Sequence, residues 1–275
     1  MLSGELATKL TARYIEIDML PLSFAEYGEA VQIPDKRERF NQYMNMGAFP
    51  YAARFFDNSL AHSQYLEGIY NTVLVKDVMT RKSLNDITLL KTIVSFLASN
   101  VGSPVSAKRI ADTLTSAGRP TGSATVDKYL AALTDAYLFY KVNRYDIKGK
   151  MHLKSESKYY ICDTGLRNMI LGTTNKDIGH QIENIVYLEL SRRGYTVNIG
   201  KSGRGTEVDF IAIRNKKTEY YQVSTTVLDE NTLERELAPF MHIKDNYPKY
   251  LITLDDFTGD HDGIQQINLI DWLMG

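Results

Sequence analysis

Apolar residues recur at helical spacing through the first two thirds of the chain and at alternate positions in the last third. Residues 1–11 read as a short helix and Arg13–Asp18 alternates like a strand. Pro21 breaks the chain before a short helix with Phe24 and Tyr27. Residues 36–80 carry a helical pattern interrupted at Met46-Gly47-Ala48-Phe49-Pro50. The aromatics in that stretch (Phe40, Tyr43, Phe49, Tyr51, Phe55, Phe56, Tyr65, Tyr70) have the spacing of a helix-packing face.

Residues 86–99 are strongly periodic through Ile87, Leu90, Ile93, Val94 and Leu97. Val101-Gly102-Ser103-Pro104 ends that helix. Ser106 stands where an N-cap belongs, ahead of Ile110, Ala111 and Leu114. Gly118-Arg119-Pro120 stops this second helix, and a third runs from about Ser123 to Tyr137. Two strand-like runs, Leu138–Ile147 and Leu153–Ile161, flank a Lys148-Gly149-Lys150 turn. Three helices followed by a hairpin is the order of a winged helix-turn-helix. In that motif the third helix enters the DNA major groove and the hairpin touches backbone. Ser123, Thr125, Lys128, Arg144, Lys148 and Lys150 are the candidate DNA contacts. The same motif also serves as a protein–protein module.

After about residue 176 the pattern becomes α/β. Asp177–Gly194 is an amphipathic helix ended by glycine. Strands are expected over Tyr195–Ile199, Thr206–Arg214, Glu219–Thr226, Tyr250–Leu254 and Gln266–Leu269, with helices over 231–242 and near 270–273.

Composition adds bounds. The 275 residues hold 32 Lys+Arg and 33 Asp+Glu, a formal charge of −1, which argues against a wholly basic coat. The charge is uneven. Residues 86–150 hold nine bases against five aspartates, whereas residues 225–262 hold nine acids against three bases. One cysteine, Cys162, excludes an internal disulfide framework and a multi-cysteine zinc site. No apolar run approaches the roughly 20 residues of a membrane-spanning helix. The first residues lack a signal-peptide pattern, so the expected compartment is cytoplasmic.

Two motifs bear on chemistry. Gly200-Lys201-Ser202 looks like the end of a phosphate loop, but Glu207-Val208-Asp209-Phe210-Ile211 follows as strand where such a loop needs a helix. No nucleotide site is expected. Glu183 on a helix, Asp209 in a strand and Gln222-Val223-Ser224 in the next strand follow the order of a PD-(D/E)xK nuclease. There, acidic groups hold Mg²⁺ and a lysine stabilises developing phosphate charge. Glu183 and Asp209 are the candidate metal ligands, with Gln222 in the third acidic position. Ser224 stands where the lysine belongs, so the site reads as degenerate.

Several runs taken together resemble one family. They are Met1–Tyr14, Met19–Tyr27, Gly47-Ala48-Phe49-Pro50, Tyr159–Arg167, Glu183–Leu190, Glu207-Val208-Asp209-Phe210 and Tyr221-Gln222-Val223-Ser224. They resemble prokaryotic AAA-type ATPases that carry a winged helix and a C-terminal domain of unknown function with a restriction-endonuclease-like fold. The resemblance implies four parts: a remnant of the ATPase core at 1–30, a helical segment at 31–85, a winged helix at 86–175 and a PD-(D/E)xK-like α/β domain at 176–275. It implies a truncated or split member, because Walker A and Walker B are absent, and ATP and Mg²⁺ only in a full-length relative. Arg13 matches the family's Thr-Gly-Arg, with Ala12 in place of the glycine.

The expected fold is therefore α/β with an α-helical N-terminal part, a winged helix and a restriction-endonuclease-like domain. The expected function is a non-catalytic DNA- or protein-binding module without ATPase activity. The alternatives are an Mg²⁺-dependent nuclease using Glu183, Asp209 and Gln222, and an interaction regulator that never touches DNA. Duplex DNA is an expected partner, with self-association or a protein partner through the apolar side chains of residues 1–30, and no membrane is expected.

Overall fold

The computed structural model describes residues 18–79, 84–149, 151–152, 156–172, 177–201 and 206–275, with side chains 74–77 left out. The helix and strand expected within residues 1–17, and most of the apolar side chains expected to drive self-association, lie outside the described residues. Leu20 is described and packs partly buried against the core.

Helices come first. α1 (Phe24–Val31) opens with a capping box, Ser23 accepting from the Glu26 amide and Glu26 from the Ser23 amide. α2 (Lys36–Met46) is capped by Asp35. A 3₁₀ turn over Ala52–Phe55 leads to α3 (Ser59–Asn71), which continues as a π-helical stretch, Thr72–Met79. α4 (Ile87–Ser99), α5 (Ala107–Ser116) and α6 (Ser123–Asp135) follow, the first two capped by Asp86 and Ser106. Their apolar stripes (Leu90, Ile93, Val94 and Leu97; Ile110 and Leu114; Val126, Leu130 and Leu133) are buried. This is why the three helices meet.

The expected hairpin is split between two sheets. β1 (Phe139–Val142) pairs antiparallel with β4 (Lys158–Ile161) as a two-stranded sheet. Beyond Asn143, β2 (Arg144–Asp146) pairs antiparallel with β3 (Met151–His152). Both belong to an eight-stranded sheet, because β2 also runs parallel to β5 (Thr196–Lys201). The Asn143 carbonyl accepts from the Ile199 amide, and this hands the strand from one sheet to the other. Asp146 accepts from the amides of Lys148 and Gly149 and so shapes the turn.

A helix absent from the sequence pattern, α7 (Thr164–Leu171), follows β4. Next come α8 (Ile178–Arg192), β6 (Glu207–Arg214), β7 (Lys217–Val223), α9 (Glu230–Leu237), β8 (Lys249–Thr253), β9 (Gly259–His261), β10 (Ile264–Asn268) and α10 (Leu269–Met274). The large sheet has the order β3-β2-β5-β6-β7-β8-β10-β9. Its β5–β6–β7 centre is antiparallel, whereas β7, β8 and β10 are parallel neighbours. The architecture is mixed α/β, helices first and then a mixed sheet.

α8 packs on β5, β6 and β7 through Ile182, Ile185, Val186 and Leu190, all 0–2% exposed. Each contributes roughly 1.5–3 kcal/mol at most on burial. The main core runs from Phe24 through the helices to this face of the sheet. A second core of Val208, Ile211, Tyr220, Val227, Phe240, Ile243, Leu251 and Ile264 takes Val208 and Ile211 from β6, on either side of a shift in the β5–β6 register that breaks the strict alternation of the strand. Among the described residues no helix is long and apolar enough to cross a membrane.

Candidate functional site: a carboxylate cluster closed on a lysine

β6 presents Glu207 and Asp209 two residues apart, hence on one face. β4 likewise presents Lys158 and Tyr160 together. α8 is held against β4 by Asn184, whose side-chain oxygen accepts from the Ile161 amide at 2.8 Å and whose nitrogen donates to the Ile161 carbonyl at 3.0 Å. That docking sets the neighbouring Glu183 opposite Lys158.

The Lys158 Nζ lies 3.1 Å from Glu183, 3.2 Å from Glu207 and 3.7 Å from Asp209. Its side chain is only 7% exposed. Tyr160 donates its hydroxyl to the same Glu183 oxygen at 2.7 Å. Arg144, from β2, pairs with Glu207 at 2.7 Å. On the next strand the Gln222 side-chain oxygen accepts from the Asp209 amide, and its nitrogen donates to Glu236 of α9 at 2.8 Å. Asp209 accepts from the Val223 amide at 2.9 Å.

The electrostatics follow from this packing. Burial alone would lower the Lys158 ammonium, but Glu183, Asp209 and Glu207 outweigh it and hold the group above its ordinary value. Burial pushes the Asp209 carboxyl up to about 7. The Glu183 charge adds to the shift, and Lys158 opposes it. The Tyr160 hydroxyl is pushed well up by burial and by Glu183. Among the described residues the three acids converge on the Lys158 ammonium, and Glu207 also pairs with Arg144.

The sequence-derived candidates divide accordingly. Glu183 and Asp209 are brought round one point, and Gln222 touches Asp209 through the Asp209 backbone. Ser224 stands one residue beyond β7 and donates its hydroxyl to the Thr226 carbonyl, within its own turn. The cation that Ser224 does not supply comes from β4 instead. Lys158 is the functional residue missed by reading along β7. The available signal was a lysine in a run as apolar as Lys158-Tyr159-Tyr160-Ile161, which needs a buried partner.

Ser123, Thr125 and Lys128 are exposed on α6, and Lys148 is exposed on the β2–β3 turn. Arg144 is not a surface cation: its side chain is 14% exposed and engaged with Glu207. Lys150 lies outside the described residues. Among the described residues no three His, Cys, Asp or Glu side chains are arranged to hold a metal ion.

A protein from Haemophilus influenzae described as uncharacterized is 41% identical over 280 residues. The match covers the whole of this chain and 68% of that protein. An uncharacterized protein from Methanocaldococcus jannaschii is 28% identical over 288 residues, covering 98% of this chain and 63% of its own length. The chain thus spans about two thirds of the length of these relatives. No solved structure matches it. These matches correct the resemblance to an AAA-type ATPase family. The matching family model is a different one, and neither relative's description names an ATPase. That model is a domain of unknown function, DUF8612. It aligns with residues 37–177, more than half of the chain, and the chain belongs to that family.

Proposed function

We propose that the chain is a non-catalytic binding module for duplex DNA. In this reading α4–α6 with β1–β4 act as a winged helix. The large sheet with α8 is a restriction-endonuclease-like scaffold whose carboxylate site is closed by Lys158. One observation carries the non-catalytic part: a buried ammonium stands at the focus of Glu183, Glu207 and Asp209. In a nuclease of this type a divalent metal would have to sit among the same carboxylates. Here their charge is directed at Lys158, and both polar atoms of Gln222 are engaged. The donors as arranged do not fit a magnesium ion.

The DNA part is supported by exposed Lys128 and Lys148 and by the basic balance of residues 86–150. Cations on a helix and a turn suit phosphate contacts, which position a protein without reading sequence. The test is fluorescence anisotropy with a labelled duplex across a salt series. Wild-type protein binds with a steep salt dependence. The double variant Lys128→Ala/Lys148→Ala binds more weakly, and its log–log salt slope is smaller by about two. No duplex binding at low salt would leave the interaction-protein reading in its place.

A second reading, an Mg²⁺-dependent nuclease, is favoured by one specific feature. Lys158 brings to Glu183 and Asp209 the ammonium that Ser224 does not provide. Magnesium-dependent cleavage of duplex DNA, abolished by Asp209→Ala, would establish it and displace the non-catalytic reading.

A further inference from the structure

A second constellation lies in the turn between α4 and α5 and at the start of α8. Ser103 Oγ is 3.4 Å from His180 Nε2, and His180 Nδ1 is 2.6 Å from the Asp177 Oδ1. Asp177 caps α8 by position, yet its side chain makes no capping bond. Its other oxygen accepts from Arg167 at 2.9 Å. Arg167 is itself fixed, its side chain 4% exposed and its Nε donating to the Ala98 carbonyl at 2.8 Å. The order is hydroxyl, imidazole, carboxylate, and a buried guanidinium that orients the carboxylate.

The turn is built to place the hydroxyl there. Gly102 has φ +73°, which disfavours a side chain, and a Cβ at that position would meet Glu183 and His180 at 2.9 and 3.0 Å. The backbone thereby lies directly against α8 and brings Ser103 to His180. The imidazole is 39% exposed and Ser103 half-buried, so a reagent can reach both.

We propose that Ser103, His180 and Asp177 form an activated-serine site that accepts an acyl group from an uncharged ester. Asp177 holds the Nδ1 proton of His180, which leaves the Nε2 lone pair facing the serine. Ser103 Oγ bonds to the ester carbonyl carbon as its proton passes to Nε2. The carbon–oxygen bond to the leaving group then breaks, and the leaving alkoxide takes that proton. The products are acyl-Ser103 and a free alcohol. A long serine–histidine contact is usual before substrate binds.

Two features restrict the substrate. The Gly102 and Ser103 amides already donate to the Tyr159 and Asn100 carbonyls, so this turn offers no free amide pair to a developing oxyanion. The site therefore suits esters with a good leaving group. Glu183 borders the Gly102 backbone, and its negative charge disfavours anionic esters.

The experiment treats the full chain with p-nitrophenyl acetate, followed by intact and peptide mass spectrometry. The expected result is one acetyl group per chain, on Ser103, with a matching burst of nitrophenolate. Ser103→Ala abolishes the burst. His180→Gln slows it by about 10²-fold or more, the range of general-base assistance. Both positions lie outside the core, and circular dichroism checks that the variants keep the wild-type helix content. Acetylation that is absent, that falls on other residues, or that persists on Ser103 at an unchanged rate in His180→Gln would overturn the proposal. The DNA-binding reading is untouched by either outcome, because it rests on Lys128 and Lys148.

Discussion

Removing the Lys158 ammonium would leave Glu183 and Asp209 packed together with no cation among their contacts with the described residues, where Arg144 still pairs with Glu207. Truncating one partner of a buried ion cluster typically costs about 3–5 kcal/mol, because the remaining charges stay desolvated. Lys158→Met is therefore expected to lower the unfolding free energy by about that amount in urea denaturation. Adding Glu183→Gln, which removes one of the stranded charges, should recover part of the loss. Asp209 gives a second expectation. Its carboxyl is raised by burial to about 7, above its ordinary 3.8, so the native state holds a proton that the unfolded chain has released. The stability this supplies is complete below about pH 4 and lost as pH rises through about 7. Asp209→Asn keeps an acceptor for the Val223 amide and cannot titrate. The stability of wild type relative to this variant should fall between pH 4 and 7, by an amount on the order of a few kcal/mol. Thermal melts of the two proteins across that range measure it, and a constant difference would contradict the assignment.

Helices with long apolar periods were plain from the residues alone, since α4, α5, α6 and α8 each bury a stripe that repeats every three or four positions. α7 was not. It has only eight residues, and it owes its start to Asp163, a buried carboxylate serving two elements at once. Asp163 accepts from the Leu166 amide at 2.8 Å to cap α7, and from the Ala48 amide at 2.6 Å to fix the turn after α2. Burial pushes its carboxyl up to about 6 despite those amides. Nothing local in either segment announces a bond across 115 residues. The site was half legible for the same reason. Glu183, Asp209 and Gln222 follow a known order along the chain, but Lys158 stands 25 residues from Glu183 on a strand outside that order. The Asp163 joint is testable at Gly47, which has φ +78° and would drive a Cβ into the Asp163 carboxylate. Gly47→Ala combines backbone strain with a steric clash. It should destabilise the protein by roughly 2 kcal/mol or more in urea denaturation.

Across the molecule, the sheet and the helices share one principal core. β2 and β3 come from the middle of the chain, yet they complete the sheet formed by its last hundred residues. At the other end α10 packs against α1 and α2, and Lys36 reaches Asp271 at 2.9 Å. The single tryptophan, Trp272, sits in α10 with Arg193 stacked 4.2 Å from its ring centre and Tyr221 of β7 beside it. Its fluorescence therefore reports the joint between the two ends of the chain, whereas far-ultraviolet circular dichroism is dominated by the helices before the sheet. If the halves were separate cooperative units, the two probes would report different midpoints. With a core that runs from Phe24 to Leu273, they should coincide. Urea unfolding followed by both signals is expected to give one transition with a common midpoint. Non-coincident curves would place a break between the helical part and the sheet. The Lys158→Met variant sharpens the test, because Lys158 of β4 bonds to carboxylates on α8 and β6. Its loss should lower both midpoints together, because the cluster joins β4 to α8 and β6 within the described residues.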